Sequence, residues 1–171
     1  MPGPFRAAYS VAVASVLLGG GSLILFGIFL AIGPFFPFRY HAPQWQVLLW
    51  DGCLSLLFFV QHSGMVRKSS KDRLARILAS RYHPAAYSIA SGAALTVTIV
   101  LWQPGRTVIY SVEGPFKLLF AAASILAIVG FSQAGRALGN FDTFGLDPIR
   151  AYIKGSTPEP ASFKLRGFYL W

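Results

Sequence analysis

Long apolar stretches separated by short polar segments constrain this sequence more than any other feature. A helix needs about 20 apolar residues to cross roughly 30 Å of hydrocarbon. Stretches of about that length cover residues 9–32, 45–64, 84–102 and 115–138. A hydrophobic fraction of 54% with only 12% charged residues excludes an ordinary soluble domain. The sequence therefore predicts an all-α, multi-pass integral membrane helix bundle with about four transmembrane helices in residues 1–139.

The first apolar stretch has a competing interpretation as a secretory signal peptide, because Arg6 precedes it. The apolar run over residues 7–33 is, however, about twice as long as the apolar region of a signal. The small residues 19–22 would weaken a soluble helix, but in a membrane they let helices approach closely. We therefore expect a retained first span that packs against another helix.

Basic residues are distributed unevenly between the two sides that four spans would define. Residues 66–81 form a basic segment that separates spans two and three, and its cations are Arg67, Lys68, Lys71, Arg73, Arg76 and Arg81. Leu74, Ile77 and Leu78 follow helical spacing within it, which predicts a short amphipathic helix on the membrane surface. Lys and Arg resist translocation, so the segment is expected on the cytoplasmic side.

This orientation places both termini, and a turn-rich tail over residues 140–171, in the cytoplasm, and the expected location is a bacterial inner membrane. Twelve of the 15 Lys and Arg residues then lie on the cytoplasmic side. The formal charge of +9 does not indicate nucleic acid, because the cations flank apolar spans. The lipid bilayer, with its anionic head groups, is the expected partner.

A few polar residues lie within the spans, where ionisable groups are costly and therefore functional candidates. Gln61 and His62 lie near the inner end of span two. His62 either holds a substrate or moves a proton, or it hydrogen-bonds a neighbouring helix. Asp51 is expected to reach interfacial water at the outer end, and Cys53 is expected to be a small buried apolar residue.

Two further polar clusters flank the later spans. Arg81 and Tyr82 precede Pro84, which suits the first turn of span three. They act either as head-group anchors or as a gate or anion clamp at a cytoplasmic pocket. Asp142 and Thr143 lie in a turn that either receives the hydroxyl or amino groups of a cofactor or needs no such role. No metal site is predicted, since the histidines at positions 41, 62 and 83 differ in side or depth.

Several short motifs, in this order and spacing, resemble one membrane enzyme family. They are Gln-His-Ser-Gly-Met-Val-Arg at 61–67, Arg-Tyr-His at 81–83 with Tyr-Ser at 87–88, Leu-Trp-Gln-Pro at 101–104, Phe-Gly-Leu at 144–146 and Gly-Phe-Tyr at 167–169. Together they resemble the NnrU-like and methanethiol S-methyltransferase-like branch of the isoprenylcysteine carboxyl methyltransferase superfamily. The resemblance covers nearly the whole chain from about residue 48.

The resemblance implies a multi-pass enzyme that methylates a small thiol, or a lipid-like thiol or carboxylate, with S-adenosylmethionine. It implies acceptor-side roles for Gln61, His62, Arg81, Tyr82 and Tyr87, and cofactor contacts for Asp142 and Thr143. One departure is clear. The family carries an Arg-His-Pro-x-Tyr cofactor segment soon after a Gly-Phe-Tyr-Leu-Trp-like stretch, and this sequence shows that stretch only at 167–171.

The missing segment keeps a second hypothesis open, a non-catalytic membrane subunit or scaffold of a larger complex with the same ancestry. The small-residue faces of spans one and four would then bind a partner protein or a second copy of the chain. A small transporter or a haem-bearing protein is a third hypothesis, which the lack of a suitable histidine pair disfavours.

Overall fold

The computed structural model describes residues 3–35, 42–105, 114–137 and 142–157. These ranges contain helices and turns and no strand, which confirms the all-α prediction. The helices, in chain order, are α1 (Gly3–Ser15), a π-helical turn (Val16–Gly20), α2 (Gly21–Ile32), α3 (Gln44–Val66), α4 (Lys68–Leu74), a 3₁₀ turn (Ser80–Tyr82), α5 (His83–Leu101), α6 (Pro115–Ala137) and α7 (Asp147–Lys154).

Three helical segments are long and apolar enough to cross a membrane. They are Phe5–Ile32, Gln44–Val66 and Ser80–Leu101, with 28, 23 and 22 residues. Their bounds agree within a few residues with the first three predicted spans. Helix α6 contains an apolar stretch at Pro115–Ala127, and the fourth span stays a prediction.

The described residues form two compact units. The first contains residues 3–35, 42–105 and 143–157, and the second contains residues 114–137 and 142. The first unit therefore includes α7, and the division into residues 1–139 and a tail over residues 140–171 stays a prediction. Residues 158–171, including the Gly-Phe-Tyr motif, lie outside the described residues.

The first span crosses α5 at very close range. A Cβ atom built on Gly92 would lie 2.5 Å from the carbonyl carbon of Leu18 and 2.8 Å from the backbone nitrogen of Gly19. A Cβ atom on Gly19 would in turn collide with the Ser88 hydroxyl. The expected use of small residues for close helix packing is confirmed at Gly19, and its neighbour is α5 of the same chain.

The π-helical turn lies at this crossing. Such single-turn insertions shift the register of a helix and are common where packing is specialised. Gly19 and Gly20 within it face the ring of Phe144. The carbonyl oxygen of Phe144 accepts a hydrogen bond from the Ser15 hydroxyl at 2.5 Å. The loop before α7 is therefore held against the middle of the first span.

Helix α7 packs along the first half of that span. Ile149 is 0% exposed and forms a small core with Ala8 and Ala85. The ring centroids of Tyr152 and Phe5 lie 5.8 Å apart. Because Phe144 contacts Ser15 and Tyr152 contacts Phe5, α7 runs antiparallel to α1.

The basic segment is less helical than its sequence predicted. Helix α4 stops at Leu74, and turns follow it, so Ile77 and Leu78 lie beyond the helix. Leu74 lines a cavity, and Ile77 is fully on the surface. Pro84 lies in the first turn of α5, as predicted.

The outer ends of α3 and α5 are joined by two hydrogen bonds. An oxygen of Asp51 accepts from the backbone N–H of Gln103 at 3.0 Å, and the indole N–H of Trp50 donates to the carbonyl of Leu101 at 2.9 Å. Asp51 is only 7% exposed, so the expectation that it reaches interfacial water was wrong. Cys53 is exposed on the surface of α3, so its predicted burial was also wrong.

Candidate functional site

A cavity of about 360 Å³ lies where α3 ends and α5 begins, beside α4. The chain leaves α3 in an extended conformation at Arg67 and enters the 3₁₀ turn through an extended Ala79. These two extended residues keep the basic segment from filling the space between the end of α3 and the start of α5. The lining consists of Met65, Val66, Lys71, Leu74, Ser80, His83, Pro84 and Tyr87.

The cavity wall is largely apolar, with a few polar groups at defined places. Met65, Val66 and Leu74 supply flexible hydrocarbon and thioether surface. Tyr87 contributes a hydroxyl, and Lys71 contributes the positive charge of the wall. A small apolar pocket with few polar groups is typical of a site that binds a small molecule.

Tyr87 connects this cavity to His62. Its hydroxyl lies 2.9 Å from Nε2 of His62 and 3.1 Å from Nδ1. Nδ1 of His62 lies 3.2 Å from the Ser91 hydroxyl, one turn further along α5. The imidazole also stacks on Phe58, with ring centroids 5.3 Å apart. His62 therefore does hydrogen-bond the neighbouring helix, one of the two roles considered for it.

This arrangement limits what His62 can do directly. His62 is not among the residues that line the cavity, whereas Tyr87 is. A ligand in the cavity would contact Tyr87 rather than His62. The contact with His62 holds the Tyr87 hydroxyl in position.

Gln61 lies beside His62 on α3 but faces a different partner. Its side-chain nitrogen donates to the sulfur of Met65 at 3.1 Å. Its side-chain oxygen is buried with no hydrogen-bond partner among the described residues. Through Met65, which lines the cavity, Gln61 fixes one wall without forming part of it.

Arg81 and Tyr82 lie on the other side of the 3₁₀ turn, away from the cavity lining. The Arg81 guanidinium sits 4.0 Å above the Tyr152 ring and 5.0 Å above the Tyr82 ring. Cation–π contacts of this kind hold an arginine in place. Arg81 therefore joins the start of α5 to α7, and the structure does not bring it to His62.

His83 is a cavity residue that the sequence analysis did not select. Its Nε2 donates a hydrogen bond to the carbonyl of Leu78 at 2.9 Å, which fixes the turn before α5. Met65 and Lys71 also line the cavity and were not selected. Met65 and His83 both belong to sequence motifs that carry the family resemblance, and those motifs could have indicated them as site residues.

Asp142 and Thr143, the residues expected to contact a cofactor, do not line this cavity. Thr143 is exposed and Asp142 is partly buried. S-adenosylmethionine carries a sulfonium, an ammonium and a carboxylate group, and buried charges need partners of opposite sign. The cavity lining contains Lys71 and no carboxylate, so it does not fit this methyl donor. Its residues fit a small, weakly polar molecule.

Four curated relatives share sequence with this chain, and all are named methanethiol S-methyltransferase. The protein from Pseudomonas sp. strain GM41 is 32% identical over 123 residues, which cover 71% of this chain and 47% of the relative. The protein from Pseudomonas deceptionensis is 32% identical over 120 residues, covering 68% and 45%. The protein from Crocosphaera subtropica is 28% identical over 127 residues, covering 71% and 48%.

No family model matches the chain, and no solved structure matches it. The chain spans about half the length of the curated relatives it matches. The shared sequence nevertheless covers about 70% of the chain in several independent relatives. The resemblance of this chain to the methanethiol S-methyltransferase-like branch is thereby confirmed.

Proposed function

We propose that this chain forms the acceptor-binding part of a membrane-embedded, S-adenosylmethionine-dependent methyltransferase that acts on a small thiol. The observation that carries the proposal is the sequence similarity to four proteins named methanethiol S-methyltransferase. The three apolar helices support a membrane setting. The similarity does not favour the alternative of a non-catalytic scaffold.

The cavity at the inner ends of α3 and α5 supports a small thiol as the acceptor. Methanethiol-sized molecules are weakly polar and fit a wall made mainly of Met65, Val66 and Leu74. A lipid-like thiol or a carboxylate, which the sequence resemblance also allowed, is the alternative class of acceptor. The thiolate is the reactive form of a thiol, so the site must also manage one proton.

Tyr87 is the residue placed to meet the thiol. Its hydroxyl can donate a hydrogen bond to sulfur and accept one from S–H. The contact with His62, at 2.9 Å, gives the phenol a partner that holds or takes a proton. Lys71 in the same wall stabilises negative charge that develops on sulfur. The described cavity lining does not fit the methyl donor, so the donor would bind elsewhere. Asp142 and Thr143 are proposed to contact it.

Methyl transfer from isotope-labelled S-adenosylmethionine to methanethiol tests this function in lipid nanodiscs. Labelled dimethyl sulfide is the expected product, and its absence, together with absence of donor binding, would contradict enzyme function. The variant Tyr87→Phe keeps the ring of this cavity residue and removes only the hydroxyl that contacts His62. We expect kcat/KM for the thiol to fall about tenfold, the effect of one lost hydrogen bond to the reacting group.

The matched control is Thr98→Val, which also removes one hydroxyl from α5. Among the described residues, the Thr98 hydroxyl bonds only the carbonyl of Ala94 on its own helix, at 2.9 Å. Equal losses in Thr98→Val and Tyr87→Phe would show that hydroxyl removal acts through helix stability. His62→Ala should lower turnover while the helical circular dichroism spectrum is retained.

A further inference from the structure

A second cavity, of about 320 Å³, lies between the first span and α7. Its wall is almost entirely hydrocarbon. Val13, Val16 and Leu17 line it from the first span, Ile149 and Ile153 line it from α7, and Leu146 lines it from the position just before α7. We call this the α1–α7 groove. The packing of Ile149, Ala8 and Ala85 fixes one side of it. Its outer residues stay open, since Val13 is 55% and Leu17 is 67% exposed.

The edge of the α1–α7 groove is positively charged. Arg150 lines it, and the side chain is 64% exposed. Its ion pair with Asp147 is long, at 3.6 Å, and both partners are exposed, so the pair is weak. Lys154 lies one turn further along α7 and is exposed. A groove with an apolar bed and a cationic edge is complementary to an amphipathic anion.

The position of the groove selects a membrane lipid as that anion. Helix α7 runs beside residues 5–15, the half of the first span nearest the basic segment, because Arg81 of that segment stacks on Tyr152. With the predicted orientation, this half lies in the cytoplasmic leaflet, where anionic lipids concentrate. The groove is therefore open at the depth of the acyl chains, and Arg150 lies on its edge.

We propose that the α1–α7 groove is a binding site for an anionic phospholipid. One acyl chain lies on Val13, Leu17 and Ile153, and the phosphate is bound by Arg150. The site would tie α7, and with it the loop that contains Phe144, to the membrane. It uses no residue of the Tyr87 cavity, so it does not depend on the proposed methyl transfer.

Native mass spectrometry of the protein in detergent tests the site, with phosphatidylglycerol and phosphatidylcholine of identical acyl chains as probes. We expect phosphatidylglycerol to be retained more tightly. Arg150→Gln should weaken its binding about fivefold, the factor that corresponds to about 1 kcal/mol for one cation near a lipid head group. Arg73→Gln removes an exposed cation of α4 and is the matched control, with an expected change below about twofold.

Two more variants separate the head-group contact from the apolar bed. Asp147→Asn removes the anion that competes for Arg150 and should tighten phosphatidylglycerol binding. Val13→Trp fills the groove and should weaken both lipids, with the helical spectrum unchanged. Equal retention of the two lipids, or equal losses in Arg150→Gln and Arg73→Gln, would overturn the proposal. The proposal would also be overturned if the protein had the mass of a dimer and Val13→Trp reduced it to the mass of a monomer, because a second copy of the chain would then occupy the groove.

Discussion

Replacing Gly92 by alanine is expected to force the first span away from α5. The added Cβ would lie 2.5 Å from the carbonyl carbon of Leu18 and 2.8 Å from the backbone nitrogen of Gly19. Ordinary carbon contacts are about 3.5–4.0 Å long, so the two backbones must separate by roughly 1 Å. Both obstacles are backbone atoms of a helix, and no side-chain rotation relieves them.

The energetic cost of this separation is set by two opposing terms. Overpacking of a well-packed interface costs about 1–3 kcal/mol. Alanine favours the helix over glycine by about 0.5–1 kcal/mol, which offsets part of that loss. A separation of roughly 1 Å also removes up to about half of each dispersion contact across the interface. We expect a net loss of about 1–2 kcal/mol in the free energy of unfolding.

Titration with sodium dodecyl sulfate in mixed micelles, followed by circular dichroism, measures this loss. Gly27→Ala in α2 is the matched control, because a Cβ on Gly27 meets nothing within 4 Å. The control should be neutral or slightly stabilising. If Gly92→Ala unfolds at the same detergent fraction as Gly27→Ala, the close crossing of the first span and α5 is refuted.

Two further predictions concern the positions that hold the first unit together. Gly145 has φ of +68°, and a Cβ added there would lie 2.6 Å from Cβ of Pro84. Gly155 has a similar φ of +65°, but a Cβ added there would meet open space. Gly145→Ala should therefore lower the free energy of unfolding more than Gly155→Ala does. The difference between the two losses measures the steric clash at Gly145, and we expect about 1–3 kcal/mol in the same titration. Equal losses in the two variants would contradict the packing of this loop on α5. Asp51→Ala leaves the buried backbone N–H of Gln103 without its acceptor and should cost about 1–3 kcal/mol, whereas Asp51→Asn, which keeps an acceptor oxygen, should cost less. Equal losses in the two Asp51 variants would assign the effect to the charge.

The spans were predictable from the sequence because crossing a bilayer is a local requirement. About 20 apolar residues in a row satisfy it without reference to the rest of the chain. Glycine and proline mark the ends, and Pro84 was correctly placed in the first turn of α5. Backbone groups in hydrocarbon must bond within their own helix, so the secondary structure followed from the same stretches.

The candidate site was only partly predictable, because it depends on which helix faces meet. Sequence spacing indicated His62 and Tyr87 separately, but only the packing of α3 on α5 brings their side chains to 2.9 Å. The same packing buries Asp51 at the outer end and leaves Cys53 exposed on α3. Inside a membrane nearly every side chain on a span is apolar, so the pattern of hydrophobicity says little about which face is buried.

The sequence by itself determined that this chain is helical, with stretches long and apolar enough to cross a membrane and a basic segment between the second and third of them. The length of an apolar stretch and the cost of translocating cations are local properties, and both depend only on residues that are consecutive in the sequence. Only the tertiary structure decided that α7 lies along the first span and that Arg81 contacts Tyr152 instead of the cavity. Those contacts join residues about 70–140 positions apart, and they depend on close packing at Gly19, Gly92 and Gly145. Such complementarity arises between surfaces and is absent from any single stretch of the chain.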